Sequence, residues 1–396
     1  MKLNRKRRLL CDLARQGRRL LLLTALACQG GWAAASEPDT ENGYELYTQL
    51  STLSYSNAET LAHTYDDARA GGADGGDLVF THNRIELGVA RDDWHIGAFW
   101  RTDYRLEFND DTAQFLQQQH DGVALTPGRA YALKVEGNHI SATGLVVGKR
   151  FRAGKRFNAR SWTLDARAHL LRATDVVDGR VDARLSISDP ALNAALPFTG
   201  TGRINYAYNK DELLDRPRAF DGVGYGIGLE LSVSAQLDEH WRVSAHLRDA
   251  PTLIYWQNLP FTDVGLTLAR PRFGADGTLD TQPLATGREF KRSHLQRLPI
   301  RYDVEASRAL SPELTAFARL RGFDDALFPQ LGLRWQAAPR WQVALSIDLR
   351  AQALVLGFGT TRARAEIAMD DPRPGHAHMA AATLSTATSA SALPPD

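Results

Sequence analysis

Residues 92–110 read DDWHIGAFWRTDYRLEFND. The even positions, Trp94, Ile96, Ala98, Trp100, Thr102, Tyr104, Leu106 and Phe108, are almost wholly apolar and aromatic. The odd positions are His95, Gly97, Phe99, Arg101, Asp103, Arg105 and Glu107, which end in four charges. A period of two is that of a β-strand, whose alternate side chains point to opposite faces. Soluble strands run about five or six residues. The alternation over 94–108 is much longer, and a tilted strand of about 9–11 residues is enough to cross a bilayer.

The same pattern recurs along the chain. Val79, Ile85, Leu87 and Val89 alternate with His82, Arg84, Glu86 and Gly88, and Trp162, Leu164 and Leu170 alternate with Asp165, Arg167 and His169. From Val223 to Leu237 every odd position is apolar, against Gly, Glu, Ser and Gln. Ile300, Tyr302 and Val304 alternate with Arg301, Asp303 and Glu305; Leu314, Ala316, Ala318 and Leu320 with Thr315, Phe317, Arg319 and Arg321; and Trp341, Val343, Leu345 and Ile347 with Gln342, Ala344, Ser346 and Asp348. Tight links such as ARDDW (90–94), LDEHW (237–241), LSPEL (310–314) and AAPRW (337–341) alternate with long polar ones at 56–76, 109–129, 190–200, 209–221 and 274–297. Within 109–129, DDTAQFLQQQHD predicts a short helix with acids in its first turn. This loop is the candidate to fold inward and constrict a lumen.

The ends of the chain differ from its body. Residues 1–35 carry a basic start, a short apolar run from Leu20 to Cys28 and Ala33-Ala34-Ala35, the three parts of a cleaved secretory signal. Removing them takes away eight basic side chains and one acid, which turns the net charge from +1 to −6. That balance argues against nucleic acid as a partner. Both cysteines, Cys11 and Cys28, leave with the leader, so no disulfide, thiolate metal site or cysteine nucleophile is expected. Residues 370–396 are rich in Ala, Ser, Thr and Pro and read as a disordered tail. The domain between, 36–369, ends on a last expected strand at 362–369.

Unpaired backbone groups cannot remain in lipid, so a sheet that crosses a membrane must close. The expected fold is therefore all-β: an antiparallel up-and-down transmembrane β-barrel of about 14 strands, within 12 to 16, with short periplasmic turns and longer extracellular loops. The chain resembles Gram-negative outer-membrane β-barrel proteins. Its hairpin GVGYGIGLELSVSAQLDEHWRVSAHLRD (222–249) is similar to the barrels of the fatty-acid-transporter and TraF-like group. The resemblance implies an outer-membrane location in a Gram-negative bacterium after Sec-type export. It also implies contact with lipid and lipopolysaccharide, and insertion by the barrel-assembly machinery as a monomer. The usual terminal aromatic residue is missing, which moves the insertion signal to Phe358 or Met369.

The expected lumen residues are Arg84, Glu86, Arg101, Asp103, Arg105, Glu107, Asp165, Arg167, Arg301, Asp303, Glu305, Arg319 and Arg321, joined by Arg184, Arg203, Arg242, Arg248 and Arg334. They form either a paired network that fills and stiffens the barrel or a constriction that selects small solutes by charge. The excess of arginine points to anionic or zwitterionic solutes. Trp94, Trp100, Tyr104, Trp162, Trp241 and Trp341 are expected at the membrane interfaces. A porin-like channel is the leading function, and a non-conducting structural or assembly barrel is the first alternative. His139 and Ser141 form a His-x-Ser pair, the arrangement of barrel-embedded lipid hydrolases, but Asn158 is the nearest third group. The basic turn KRFRAGKRF (149–157) suits lipid phosphate or plain solvation. The loop GADGTLDTQ (274–282) lacks the spacing of a Ca²⁺ loop, His376 and His378 have no metal partners in the sequence, and no cofactor motif occurs.

Overall fold

The structure is a computed structural model that describes residues 44–62, 76–120, 123–153, 161–187, 198–210, 221–268, 272–273, 279–280, 285–373 and 375–390. The expected leader, residues 154–157 of the basic turn, Asn158 and most of the 274–282 loop lie outside these residues. The strands are β1 (Tyr44–Ser56), β2 (Leu78–Arg91), β3 (Trp94–Phe108), β4 (Ala130–Ala153), β5 (Ser161–Ile187), β6 (Phe198–Tyr208), β7 (Gly224–Gln236), β8 (Trp241–Leu268), β9 (Arg272–Phe273) and β10 (Leu279–Asp280). They continue with β11 (Ala285–Arg297), β12 (Arg301–Ala309), β13 (Leu314–Phe323), β14 (Ala326–Ala338), β15 (Trp341–Asp348), β16 (Ala353–Thr360), β17 (Ala363–Met369) and β18 (Met379–Ala390). The helix α1 (Asp110–His120) follows β3.

Fourteen strands close on themselves in the order β1-β2-β3-β4-β5-β7-β8-β12-β13-β14-β15-β16-β17-β18, and β18 pairs antiparallel with β1 from Met379↔Tyr55 to Ala390↔Tyr44. The barrel is thereby closed, as a membrane requires. The wall is apolar outside: Leu87, Ile96, Leu145, Leu170, Ile227, Leu331, Leu345, Leu354 and Ile367 are all exposed. Their neighbours of opposite parity point inward.

The closing strand corrects the expectation of a disordered tail. Residues 379–390 hold mostly Ala, Ser and Thr, with little hydrophobic contrast between the two faces. Periodicity therefore had nothing to register, and the strand is held by ladders to both β17 and β1. The last strand is β18, not the segment at 362–369.

The barrel is taller on one side. The lower half of β5 pairs β7 and its upper half pairs β6; β8 likewise pairs β7 and β12 below and β6 and β11 above. The upper sheet curls so that β11 meets β4 and β5 through side chains. Gln296 Nε2 donates to the His139 carbonyl (3.1 Å) and to Asn138 Oδ1 (3.2 Å), and His294 Nε2 lies 2.7 Å from Asp178 Oδ2. Arg184 and Arg203 stand on this extension, outside the barrel, where Arg203 pairs with Asp263.

The helix expected within 109–129 is present, but it does not enter the lumen. Ala113 packs with Val79, Phe108 and Val135, all outward-facing, so α1 lies on the outer wall. Its first turn caps the unpaired edge of β4. The N–H of Ala132 donates to Asp111 Oδ2 (2.8 Å), and that of Lys134 donates to Thr112 Oγ1 (2.8 Å) and Asn109 Oδ1 (3.1 Å). A free edge that would otherwise invite pairing is covered.

Candidate functional site: a side-chain plug across the lumen

Alternation places Arg84 and Glu86 (β2), Arg101, Asp103, Arg105 and Glu107 (β3), Asp165 and Arg167 (β5), Arg301, Asp303 and Glu305 (β12), and Arg319 and Arg321 (β13) on the inward face. They lie in stacked layers. Nearest the short-turn rim, Arg167 Nε donates to Asp165 Oδ1 (3.0 Å), while His95 Nε2 lies 3.5 Å from the same oxygen. Arg167 also reaches Glu86 on β2 (3.4 Å).

The second layer centres on Glu230 of β7. Its carboxylate is approached by His246 (2.7 Å), His169 (3.4 Å), Arg84 (3.6 Å) and Arg248 (3.6 Å). The third centres on Asp249 of β8. Arg101 reaches across from β3 and donates to both of its oxygens (2.7 and 3.0 Å), and Arg301 Nε donates from β12 (3.0 Å). Arg101 also pairs with Asp103, which pairs in turn with His82. Above them, Arg105 reaches Glu107 and the Asp324-Asp325 turn. On the opposite wall Arg319 bridges Asp303 and Glu366, Arg321 lies 3.6 Å from Glu366, and Arg334 pairs with Glu305.

Arg101 is 1 % exposed, and Glu230 and Asp249 are each 2 % exposed. Charges this deep are tolerated only when paired, and each carboxylate at the centre of a layer meets two or more cations or imidazoles. Glycines let the plug pack close to the wall. A Cβ on Gly144 would stand 2.5 Å from the Phe99 ring, and one on Gly224 would stand 2.6 Å from Trp256.

Apolar residues seal the lumen above the charges. Phe80 of β2 stacks on Phe323 of β13 at 4.3 Å and 8°, and Tyr55 meets Phe328 edge-on at 4.9 Å. Towards the tall wall, Ile140, Val176, Ile254, Trp256, Leu259 and Phe261 form one buried cluster with Leu298. A cavity of about 10 Å³ remains beside Arg101, Asp103, Arg105, Asn138, Leu298 and Arg301, room for roughly one water. Four arginine nitrogens buried in the plug, Arg101 Nε, Arg105 Nε, Arg301 Nη1 and Arg321 Nε, have no hydrogen-bond partner among the described residues. Towards the short-turn rim the lumen opens into a vestibule, where inward-facing Arg364, Thr383 and Ser385 are exposed.

Glu230, Asp249, Glu366 and the inward histidines were not singled out from the sequence. Glu230 had a signal, since it is the one acid on an inward face of Gly, Ser and Gln. Asp249 had none. It occupies an odd position of β8 between inward-facing Arg248 and Thr252, and a φ of 56° at a bulge turns it inward.

The expected interface aromatics divide. Trp94, Trp241 and Trp341 face outward beside the short turns, and Trp162 faces outward at the same rim. Trp100 faces outward six residues further along, between Ile85 and Thr143. Tyr104 packs against the cluster beneath α1. His139 and Ser141 do not meet as a dyad: His139 Nδ1 lies 2.9 Å from the Asp103 carbonyl, and Ser141 Oγ lies 3.2 Å from Thr102 Oγ1. Lys149 of the basic turn sits 4.8 Å above the Trp94 ring, and His378 Nδ1 lies 3.1 Å from the Ser56 carbonyl. No cluster of three or more metal-ligating side chains occurs among the described residues.

A closed antiparallel sheet with an apolar belt outside and a charged interior is a transmembrane β-barrel of the outer-membrane type. No protein-family model matches the chain, and no curated protein matches it. Among solved structures it is similar to a deletion mutant of the monoaromatic hydrocarbon channel TodX, at 9 % identity over 88 % of this chain and 91 % of that one, with a TM-score of 0.41. It is also similar to the toluene transporter TodX of Pseudomonas putida (12 % identity, 89 % and 90 % covered, TM-score 0.37) and to a FadL homologue of Pseudomonas aeruginosa (10 % identity, 87 % of each chain covered, TM-score 0.18).

Proposed function

We propose that this barrel is a gated passage of the outer membrane for small anionic or zwitterionic solutes, closed at rest rather than open like a porin. The observation that carries this reading is the convergence of Arg101, Arg105 and Arg301 on the small cavity within the plug, each with a buried N–H that no described residue accepts. The arginine N–H groups around this cavity suit the oxygen of a carboxylate or phosphate, with which they form charge-assisted hydrogen bonds. Such a solute competes for the same arginines that Asp249 and Asp103 hold, so its arrival loosens the cross-lumen pairs. The plug is built from side chains of the wall, so opening it means breaking the cross-lumen pairs of Arg101 and Arg301 with Asp249. The exposed vestibule at the short-turn rim supplies a polar way out on the periplasmic side.

The test is solute flux into liposomes that carry the purified barrel. Small dicarboxylates are expected to enter faster than neutral sugars of equal size, and Arg301→Gln is expected to remove the preference. Equal entry of both solutes, unchanged by Arg301→Gln, would contradict the assignment. A structural barrel, the second reading, is favoured by the same dense ion pairing and predicts no flux of either solute.

A further inference from the structure

The outer wall carries a feature that the lumen does not use. On the lipid-facing side of β2 to β7 there is a depression of about 850 Å³, lined by Ile85, Leu87, Ala98, Trp100, Leu145 and Leu170, with Thr143, Arg172 and Tyr225 along its upper margin. It is shallow and open along the membrane face. Its position relative to the membrane can be read from strand register. Ile85, Trp100, Thr143, Arg172 and Tyr225 lie in one cross-strand row. The next outward-facing row towards the long-loop rim is Thr52, Asn83, Thr102 and Ser141, whose side chains bond to one another in pairs. The apolar wall therefore ends where the depression ends. The long-loop rim is the extracellular side of such a barrel, so the depression opens at the head-group level of the outer leaflet.

Arg172 is an exposed cation at that boundary, without an ion pair or hydrogen bond among the described residues. The hydroxyls of Thr143 and Tyr225 flank it in register. A cation and two hydroxyls at the head of an apolar hollow complement an amphiphile with a phosphate at one end and acyl chains at the other. We propose that this hollow is a seat for one lipid A molecule of the outer leaflet, its phosphate on Arg172 and an acyl chain along Leu170, Leu145 and Leu87. The seat is independent of what passes through the lumen.

Native mass spectrometry of the purified full chain tests this, with lipid A, phosphatidylglycerol or phosphatidylcholine added at equal concentration. The wild type is expected to retain lipid A in preference to both phospholipids. Arg172→Gln is expected to lower lipid A retention about tenfold, a difference of about 1.4 kcal/mol, while Arg172→Lys keeps most of it. Ala98→Trp, which fills the hollow and leaves Arg172 in place, is expected to lower it as well. Unchanged retention in either Arg172→Gln or Ala98→Trp would overturn the proposal. So would equal retention of phosphatidylglycerol, which would make the hollow a seat for glycerophospholipids in general.

Discussion

Arg101 and Asp249 are 148 residues apart in sequence and meet inside the barrel through two hydrogen bonds of 2.7 and 3.0 Å. One side chain comes from β3 and the other from β8, so the pair ties together walls that share no ladder. Arg301 holds Asp249 from a third strand. The contact turns a ring of strands into a filled cylinder at this level.

Asp249→Ala leaves Arg301 buried without its carboxylate and Arg101 with Asp103 alone. Loss of one partner of a buried pair costs about 3–5 kcal/mol. The variant is expected to unfold at markedly lower urea concentration, followed by the heat-dependent gel shift of folded barrels. Replacing Arg203 on the exposed Arg203–Asp263 pair is expected to leave that midpoint almost unchanged.

The assignment of inner and outer faces is open to a paired substitution. Leu345 is exposed on the outer wall in the middle of β15. Leu345→Arg places a charge in lipid and is expected to cost about 2–4 kcal/mol. Thr383 faces the vestibule beside Glu366 in register. Thr383→Arg gains that neighbour and is expected to fold like the wild type. Urea titration of both variants in lipid vesicles reads the difference, and similar losses in the two would contradict the parity.

The cap that α1 places on the edge of β4 is sensitive to acid. The N–H of Ala132 and then Arg129 hold the Asp111 carboxyl below its ordinary range. A carboxyl lowered by folding contributes stability that is complete above its unfolded pKa, about 3.9. That contribution is lost as pH falls through the lowered folded value. Hydrogen exchange at the Ala132 amide is expected to stay slow at neutral pH and to gain an acid-dependent opening below the ordinary carboxylate range. In Asp111→Asn exchange at this amide is expected to be faster already at neutral pH, and the step is lost.

Much of this architecture was legible in the opening stretch. The alternation from Trp94 to Phe108 gave both the strand and its faces, because a water-filled or charged interior and a lipid exterior impose opposite chemistry on adjacent residues. Arg101 and Glu86 could be placed inward for that reason. Asp249 could not, because a bulge interrupts the count at its position. The closing strand carries no such contrast, because Ala, Ser and Thr suit either face. The helix was readable in DDTAQFLQQQHD, but its side of the wall was not. That is decided by contacts of Ala113 with Val79 and Phe108, residues distant in sequence or beyond the helix itself.

The central claim is that the lumen is closed at rest by its own side chains. Single-channel recording of the wild type and Glu230→Ala in planar bilayers tests it most directly. Glu230 gathers His169, His246, Arg84 and Arg248, so its loss sets Arg84 of β2 against Arg248 of β8 with no carboxylate between them. The wild type is expected to show a flat baseline with rare, brief openings, and Glu230→Ala is expected to conduct steadily. A large, constant conductance in the wild type, unchanged in Glu230→Ala, would contradict the account.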